Sequence, residues 1–145
     1  MEDHPNNIRL YGVIADTPEF NQIWDLAKPY IEKAIFYSDG KYSIDSVLSS
    51  LLARDMQLWG AFDDKGLCVA CVTSIVKFPL KRVFFLLFIG GRDSVNWLHL
   101  IERLKCFAKE HQCDHMEGYG RPGWEKLSKP LGFKKVHTIF KFNLN

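Results

Sequence analysis

The feature that most constrains the fold of this chain is an apolar run from Val83 to Ile89, which ends at Gly90-Gly91. Such a short and almost continuous run is typical of a strand that is buried on both faces, and it favours a position at the centre of a sheet. The segment that follows, up to about Gln112, carries apolar residues at helical spacing. A buried strand that leads into a long amphipathic helix predicts an α/β fold.

The remaining pattern predicts the element order β-α-α-β-β-β-α-β-α-β. Thr17 and Pro18 are typical of the start of a helix, and Ser43 can cap a second one. Pro29 predicts a kink or a break within the first helix. The turn that ends at Gly66 predicts a hairpin. The predicted strands are Ile8–Ala15, Gln57–Phe62, Leu67–Val76, Val83–Ile89, His115–Tyr119 and Val136–Leu144, and a short helix covers Trp124–Leu131.

This order predicts an α/β (α+β) fold, with a mixed central sheet, helices on both faces and a single domain over residues 1–145. The net charge of +2 is too small to indicate nucleic acid or an anionic membrane as a partner. The polar segment Met1–Asn7 is unlike a signal peptide, and the longest apolar run is too short to span a bilayer. We therefore expect a cytoplasmic protein without membrane or nucleic-acid partners.

The four cysteines lie among bulky apolar residues, which predicts free thiols in a reducing compartment. Cys68 and Cys71 have C-x-x-C spacing, but residues three apart in a strand face opposite ways, so we interpret them as core residues. His111, Cys113 and His115 cluster where the long helix is predicted to end, and a helix C-terminus favours charged histidine. No second set of ligands has matching spacing, so no metal site is predicted.

Two local features accompany the element order. Gly132-Phe133 follows a short helix and leads into a final strand, and the long helix repeats an apolar pattern through Leu98, Ile101, Leu104, Phe107 and Ala108. On these features the whole chain resembles the GNAT superfamily of N-acetyltransferases. The resemblance implies acetyl-CoA as the cofactor and an amine as the acceptor of the acetyl group.

The family binds the cofactor pyrophosphate with an R-G-x-G-x-G loop, whose glycines permit close backbone approach at the N-terminus of a helix. The matching stretch here begins at Arg92, but Asp93, Val95 and Trp97 occupy the glycine places. The loop is therefore degraded, because an acidic side chain repels phosphate and bulky side chains obstruct the backbone. The resemblance places the cofactor-binding residues at Phe88, Ile89, Gly90, Gly91, Arg92, Ser94 and Val95.

The catalytic residues of the family can be matched only in part. The place of the family's tyrosine acid, which protonates the leaving thiolate, is taken by Ser128. A serine hydroxyl is a much weaker acid than a phenol, so Tyr119 on the preceding strand is the alternative. Glu117 could take a proton from the incoming ammonium. The other interpretation of Glu117 is a carboxylate at a sheet edge, paired with Arg121 or a lysine.

The segment from Glu117 to Trp124 is dense in glycine, proline and charge, which predicts a shaped loop. With the Gly132-Phe133 ending, it resembles small GNAT-like proteins encoded by tailed phages and prophages, some of which lie among virion genes. That resemblance implies that the fold can persist without acetyl transfer. Arg121 and Trp124 are candidates for a binding loop, since both residue types are enriched in hot spots. Alternatively, Trp124 packs in the core and Arg121 orients the loop.

These features are compatible with three functions. The first is an N-acyltransferase that uses acetyl-CoA on an unknown amine. The second is a non-catalytic scaffold that binds a protein partner, as a phage accessory or virion-associated component in the host cytoplasm or the virion. The third is a relative with an altered donor or target, such as a nucleobase. The basic hairpin tip around Phe78-Pro79-Leu80 is either a partner contact or a solvated loop.

Overall fold

The structure is a computed structural model that describes residues 8–92, 97–119, 126 and 128–145, with backbone alone for residues 97–99. Within these residues, five strands form a mixed sheet in the spatial order β1-β2-β3-β4-β5. The first four strands are antiparallel neighbours, and β5 is parallel to β4. The elements are β1 Arg9–Val13, α1 Pro18–Ile35, α2 Ile44–Leu52, β2 Gln57–Asp63, β3 Gly66–Lys77, β4 Arg82–Gly91, α3 Trp97–Glu110 and β5 His115–Gly118.

Helices cover both faces of the sheet, as predicted for the α/β (α+β) class. On one face, α1 and α2 bury a cluster that includes Phe20, Ile31 and Val47 against Leu58 of β2. On the other face, α3 packs on the opposite side chains of the strands, in a cluster formed by Trp59, Cys71, Phe84, Leu86, Ile101, Leu104 and Ala108. The sheet is therefore a core layer that holds β4 between two sets of helices.

The starts of the helices follow the predicted capping residues. The Phe20 N–H donates to Thr17 Oγ1 at 3.1 Å, and Pro18 occupies the first turn of α1, where its missing N–H costs no hydrogen bond. The Ser43 side chain accepts from the Ser46 N–H at 3.0 Å in a reciprocal capping box. The predicted break at Pro29 is wrong, because α1 continues through it to Ile35. Pro29 is exposed, so water can solvate the carbonyl that it leaves unpaired.

The apolar run forms β4, and its side chains are largely buried on both faces, as predicted. Its predicted position at the centre of the sheet is wrong, because β3 is the middle strand and β4 is the fourth. Both faces of β4 are covered because α1 makes its most extensive strand contacts with β4, and α3 covers the opposite side. An apolar run therefore predicts that helices cover both faces of a strand, but it does not predict the position of that strand in the sheet.

The predicted final strand, Val136–Leu144, is absent from the structure. Residues 133–145 form no strand, and every residue from 134 to 145 is exposed. Alternating apolar and polar residues specify two faces of a strand, but they supply no backbone partner. The chain leaves the core after the half-buried Phe133, and Lys141 pairs with Asp39 at 3.0 Å. Of the predicted helix Trp124–Leu131, the described part ends in a 3₁₀ turn closed by Gly132 in the left-handed conformation.

The cysteines are free thiols, and their packing supports the core interpretation. The pairing of β2 with β3 shifts register so that Cys68 is an extra residue, and the strict alternation assumed for the C-x-x-C pair fails there. Cys68 and Cys71 nevertheless lie in separate apolar clusters. Burial raises the pKa of Cys71 to about 12, so its thiol stays protonated and unreactive in the folded protein.

A buried polar relay joins β2 to β3. The Trp59 indole N–H donates to Thr73 Oγ1 at 2.9 Å, and the Thr73 hydroxyl donates to Gln57 Oε1 at 2.8 Å. We expect Thr73→Val to lower the free energy of unfolding by about 1–3 kcal/mol, because the indole donor loses its acceptor without gaining water. Thr73→Ser keeps the hydroxyl and is the matched control in urea unfolding. Equal losses for both variants would show that the methyl group, not the relay, matters at this position.

Candidate functional site

The candidate site lies where β4 and β5 stop pairing. The parallel ladder runs from Val83 opposite His115 to Leu86 opposite Gly118. From there β4 continues to Gly91, whereas β5 has ended. In a β-α-β unit, ligands bind at the carboxyl ends of the parallel strands, beside the start of the connecting helix. The structure places the start of α3 after the end of β4, as this arrangement requires.

A bulge in β4 coincides with the end of the ladder. Val72 of β3 pairs with Phe88, and Thr73 pairs with Leu86, so Leu87 is an extra residue. A bulge bends its strand and re-aims the residues that follow. The sequence offered no signal for it, because Leu87 continues the apolar run without a glycine. Leu87 is thus the residue at which β4 turns away from β5.

Beyond the bulge, backbone amides of β4 point toward the side that β5 has left. The Arg92 N–H donates to the Cys68 carbonyl of β3 at 2.9 Å. Because hydrogen-bonding direction alternates along an antiparallel strand, Phe88 and Gly90 also bond toward β3. Ile89 and Gly91 therefore direct their N–H and C=O groups away from β3. Among the described residues no strand pairs with them there, and we call this segment, residues 87–91, the open β4 edge.

The glycines at the end of β4 are required by close packing. A Cβ built on Gly90 would lie 2.7 Å from the Tyr30 carbonyl oxygen of α1. A Cβ on Gly91 would collide with the Cys68 carbonyl oxygen of β3. Both obstacles are backbone atoms, which cannot rotate away as a side chain can. The pair Gly90-Gly91, predicted as cofactor-binding, thus also lets β4 lie against α1 and β3.

The predicted cofactor residues Phe88 and Ile89 use their side chains in the core. Phe88 is buried and meets the Tyr42 ring edge-on, with centroids 5.2 Å apart. Ile89 faces α3 and lines an apolar cavity of about 10 Å³ with Leu100 and Ile101. That volume is about the minimum for one water molecule, so the cavity holds no substrate. Any cofactor contact by these two residues has to come from their backbone.

The structure directs Arg92 toward the β2–β3 turn. Its Nη2 donates to Asp63 Oδ1 at 2.7 Å and to the Gly66 carbonyl at 3.4 Å. Asp63 Oδ1 also accepts the Lys65 N–H at 2.8 Å, so the carboxylate organises the turn and holds the arginine. A phosphate contact by Arg92 with the ion pair in place would have to use guanidinium donors other than Nη2. The sequence marked residues 63–66 as a turn, but nothing in it indicated Asp63 as the partner of Arg92.

The Asp63–Arg92 pair gives a testable dependence of stability on pH. The hydrogen bond from Arg92 holds the pKa of Asp63 below its ordinary value, against a smaller opposing effect of desolvation. The stabilisation is therefore complete above the ordinary pKa of about 4 and is lost as pH falls through the lower folded-state value. We expect Asp63→Asn to reduce stability at pH 7 and to flatten the acid-side loss in urea unfolding. Asp64→Asn, in the same turn, should keep the native profile; an unchanged slope for Asp63→Asn would refute the prediction.

Glu117 lies on β5 opposite Phe85, inside the last part of the parallel ladder. Its Oε2 is 2.7 Å from His115 Nε2, and both side chains are about two-fifths exposed. The sequence had suggested Arg121 or a lysine as its partner; Arg121 lies outside the described residues, and the structure shows a histidine two residues away on the same strand. The period of two in a strand is the signal that could have identified His115. The pair thus places a carboxylate and an imidazole side by side on β5.

Tyr119 follows the last paired residue of β5 and lies at the mouth of the divergence. Its ring stacks on Phe85 with centroids 6.1 Å apart and an angle of 12° between the planes, while the side chain stays exposed. Ser128 is half-buried, and its carbonyl accepts the Phe133 N–H at 3.2 Å. The structure therefore places Glu117 and Tyr119 beside the same residue, Phe85, whereas the hydrogen bond of Ser128 joins it to Phe133.

Four of the predicted binding residues, Ser94, Val95, Arg121 and Trp124, lie outside the described residues, and the side chain of Trp97 does as well.

Across the described ranges, no three His, Cys, Asp or Glu side chains come together as metal ligands would. Within the same ranges, no helix combines the length and the apolar character that a bilayer span demands.

Solved structures with this fold include several acetyltransferases. Aminoglycoside N-acetyltransferase AAC(6')-Iy in complex with CoA matches with a TM-score of 0.70 and 14% identity, over 99% of this chain and 98% of that one. A predicted acetyltransferase with acetyl-CoA from Clostridium acetobutylicum matches with a TM-score of 0.67 and 15% identity, over 94% and 96%. An aminoglycoside acetyltransferase from an uncultured soil metagenomic sample, in complex with sisomicin, matches with 0.67 and 10%, over 95% and 97%.

The chain therefore has the fold of the GNAT acetyltransferases. The sequence matches no protein-family model, and no curated protein matches it. At identities of 10–15% the likeness establishes the shared fold, and the chemistry depends on the residues of the site.

Proposed function

We propose that this protein binds acetyl-CoA along the open β4 edge and transfers the acetyl group to an amine. The observation that carries the proposal is the pair of amides at Ile89 and Gly91, which point into the divergence between β4 and β5. The pantetheine arm of acetyl-CoA is an extended chain with amide groups, and such a chain can pair with a strand edge as an added strand does. The CoA complexes among the fold neighbours support this choice of ligand.

The proposed chemistry uses Glu117 of β5 and Tyr119, which directly follows that strand. The amine nitrogen attacks the thioester carbonyl carbon, the carbon–sulfur bond breaks, and the thiolate takes up a proton. Glu117, hydrogen-bonded to His115, accepts the proton from the incoming ammonium. Tyr119, exposed at the mouth of the divergence, donates a proton to the leaving sulfur, and its phenolate then takes up the second proton that the nitrogen loses as the amide forms. An amide N–H of the open edge stabilises the oxyanion that forms on the carbonyl oxygen.

In this proposal the pyrophosphate is not bound as in the family's glycine loop. Asp93, Val95 and Trp97 stand at the glycine places, and Arg92 is held by Asp63. The binding free energy must then come mostly from the pantetheine arm and the acetyl group. We therefore expect acetyl-CoA and shorter acetylated pantetheine compounds to bind this protein with similar affinity. In a protein whose phosphate loop dominates binding, the shorter compounds would bind much more weakly.

The test compares Ile89→Pro with Ile89→Ala by calorimetric titration of acetyl-CoA. Proline removes the outward N–H and leaves the ladder to β3 intact, because only residues that bond toward β3 contribute to it. Alanine keeps the N–H and is the matched control for loss of the side chain. We expect Ile89→Pro to bind about 5- to 150-fold more weakly than Ile89→Ala, the effect of one unsatisfied hydrogen-bonding group. Equal affinity in the two variants would refute the role of the edge.

The engagement of Arg92 by Asp63 favours a second candidate function, a non-catalytic scaffold that binds a protein partner. In this form the chain would be an accessory or virion-associated component of a phage, and the Arg121–Trp124 loop would be its contact. Such a scaffold would show no affinity for acetyl-CoA in the titration above. Retained affinity with measurable release of CoA in the presence of amines would exclude it.

A further inference from the structure

The tip of the β3–β4 hairpin, residues 77–82, combines apolar and basic side chains in six consecutive positions. Its sequence is Lys-Phe-Pro-Leu-Lys-Arg, with three cations and no acidic residue. Leu80 is 93% exposed, more than any other large apolar side chain among the described residues, and Phe78 is 44% exposed. An exposed apolar surface that is rimmed by charged side chains indicates an interaction site.

The hairpin tip projects beyond the strands on either side of it. β2 begins at Gln57, opposite Thr73 of β3, so within the described ranges no strand lies beside residues 74–77 on that side. On the other side, the ladder between β4 and β5 begins at Val83, opposite His115. The tip therefore stands clear of the sheet, and a partner can reach its apolar and basic side chains together.

Local contacts hold the hairpin tip in one conformation. The Phe78 N–H donates to the Lys81 carbonyl at 2.7 Å, and the Phe78 ring lies against Phe85 with centroids 6.3 Å apart. At the base of the tip, the Arg82 N–H donates to Asp114 Oδ2 at 2.8 Å, and the Asp114 N–H donates to the Arg82 carbonyl at 2.7 Å. A segment that is already ordered loses little conformational entropy when it binds.

The charges of the hairpin tip favour an anionic partner. Lys77 and Lys81 are exposed, and Arg82 is partly exposed. None of these three cations forms a salt bridge with another described residue, so their charge is available to a partner. The small net charge of +2 had argued against an anionic membrane, but it sums over the whole chain and does not describe a local cluster of cations.

The shape of the hairpin tip favours a lipid surface over a folded protein. A protein partner would need a pocket that fits the protruding Leu80, with acidic groups around it. A bilayer of anionic lipids needs no such pocket, because it accepts apolar side chains between its headgroups and attracts cations to its surface. With three cations and one fully projecting leucine, the expected binding is weak and reversible.

We propose that the hairpin tip docks this protein on the surface of anionic phospholipid bilayers. Phe78 and Leu80 insert among the headgroups, and the three cations lie at the level of the lipid phosphates. β4 runs for ten residues from the tip to the open β4 edge, which is about 30 Å at about 3.3 Å for each residue. The docked protein therefore keeps the open edge away from the bilayer. The docking does not depend on the proposed binding of acetyl-CoA.

Co-sedimentation of the full chain with phospholipid vesicles tests the docking. We expect the native protein to bind vesicles of equal parts phosphatidylserine and phosphatidylcholine in the millimolar range of lipid, and not to bind vesicles of phosphatidylcholine alone. Leu80→Ser should weaken binding about tenfold or more, whereas Leu144→Ser, at a leucine that is 89% exposed, should leave it unchanged. A native protein that does not sediment with the anionic vesicles, or equal losses in the two variants, would overturn the proposal.

Two lysine variants with the same net charge separate the hairpin tip from the overall charge. Lys81→Gln removes a cation from the tip, and Lys28→Gln removes an exposed cation from α1. A lysine near an anionic bilayer changes the affinity about fivefold, so Lys81→Gln should bind the same vesicles about fivefold more weakly than the native protein. Lys28→Gln should bind as the native protein does. Equal weakening in both variants would show that net charge causes the binding, which contradicts docking by the tip.

Fluorescence of Leu80→Trp distinguishes insertion into lipid from attraction to any acidic surface. With the native protein as the reference for the other tryptophans, the added emission should shift to shorter wavelength on the anionic vesicles and stay unchanged with poly-glutamate. An unshifted emission on vesicles that sediment the variant would show that the tip does not insert. A shift with poly-glutamate as large as that on vesicles would show that an acidic protein surface is the partner. Either result refutes the docking on lipid.

Discussion

Replacing Phe84 with alanine should lower the free energy of unfolding by about 3–5 kcal/mol, the usual cost of truncating a buried phenylalanine. Phe84 is completely buried in the middle of β4, on the face that α3 covers. Its ring lies 5.5 Å from that of Phe107, which also meets Trp59 edge-on at 4.9 Å. Removal of the ring leaves a cavity that the rigid sheet cannot close, so the contact with Phe107 is lost and is not replaced.

The loss can be measured by urea unfolding, with Phe78→Ala as the control. Phe78 is an aromatic residue at the hairpin tip that is 44% exposed and rests on Phe85, so its truncation should cost much less than that of Phe84. A loss below about 1 kcal/mol for Phe84→Ala would be outside the range for buried phenylalanine. That result would mean that α3 does not pack on β4 as the structure shows.

Gly91→Ala should also destabilise the protein, by about 1–3 kcal/mol or more, through overpacking at the end of β4. The added methyl group would meet the Cys68 carbonyl and the Val69 Cα of β3, and neither can yield without moving the strand. Because Gly91 carries one of the two outward amides, a shift here would also displace the open edge. Binding of acetyl-CoA should therefore weaken together with stability.

Gly118→Ala is the matched control for that substitution, because it also adds one methyl group to a strand glycine. At Gly118 the nearest atoms to a new Cβ are those of Leu86 at 3.7 Å, which is ordinary van der Waals contact. We expect Gly118→Ala to be neutral or slightly stabilising, since alanine reduces the entropy of the unfolded chain. Thermal unfolding of Gly91→Ala and Gly118→Ala measures the loss of stability in each variant. Equal losses would contradict the packing assigned to Gly91.

Much of the fold could be predicted because local chemistry determined it. Local residue types predicted the helix caps at Thr17 and Ser43 and the turn at Gly66. The apolar run of β4 predicted that this strand is buried on both faces. The alternation of apolar and polar residues also predicted a strand at Val136–Leu144. A strand requires a neighbouring strand to pair with, and the residue pattern does not determine one. Pro29 predicted an interruption of α1, yet the helix continues through it to Ile35. Tertiary packing of α1 stabilises the helix by more than the one missing hydrogen bond costs.

The candidate site was less predictable, since it depends on contacts between distant parts of the chain. The sequence indicated the end of β4, Glu117 and Tyr119; in the structure Glu117 lies opposite Phe85 and Tyr119 stacks on the same Phe85, and their role at a cofactor stays a prediction. The bulge at Leu87 depends on the register between β3 and β4. The ion pair of Arg92 depends on Asp63, which lies 29 residues earlier in the chain. Neither leaves a local trace in the sequence.

Thermal unfolding of the native protein with and without acetyl-CoA tests directly whether the open β4 edge is a cofactor site. A ligand present at a hundredfold excess over its dissociation constant stabilises the folded state by about 2.7 kcal/mol. For a chain of this size the midpoint should rise by about 5–10 °C. A rise that persists in Ile89→Ala and disappears in Ile89→Pro is the predicted result. An unchanged midpoint at about 1 mM acetyl-CoA, the upper end of usual substrate affinities, would contradict the account and leave the scaffold function in its place.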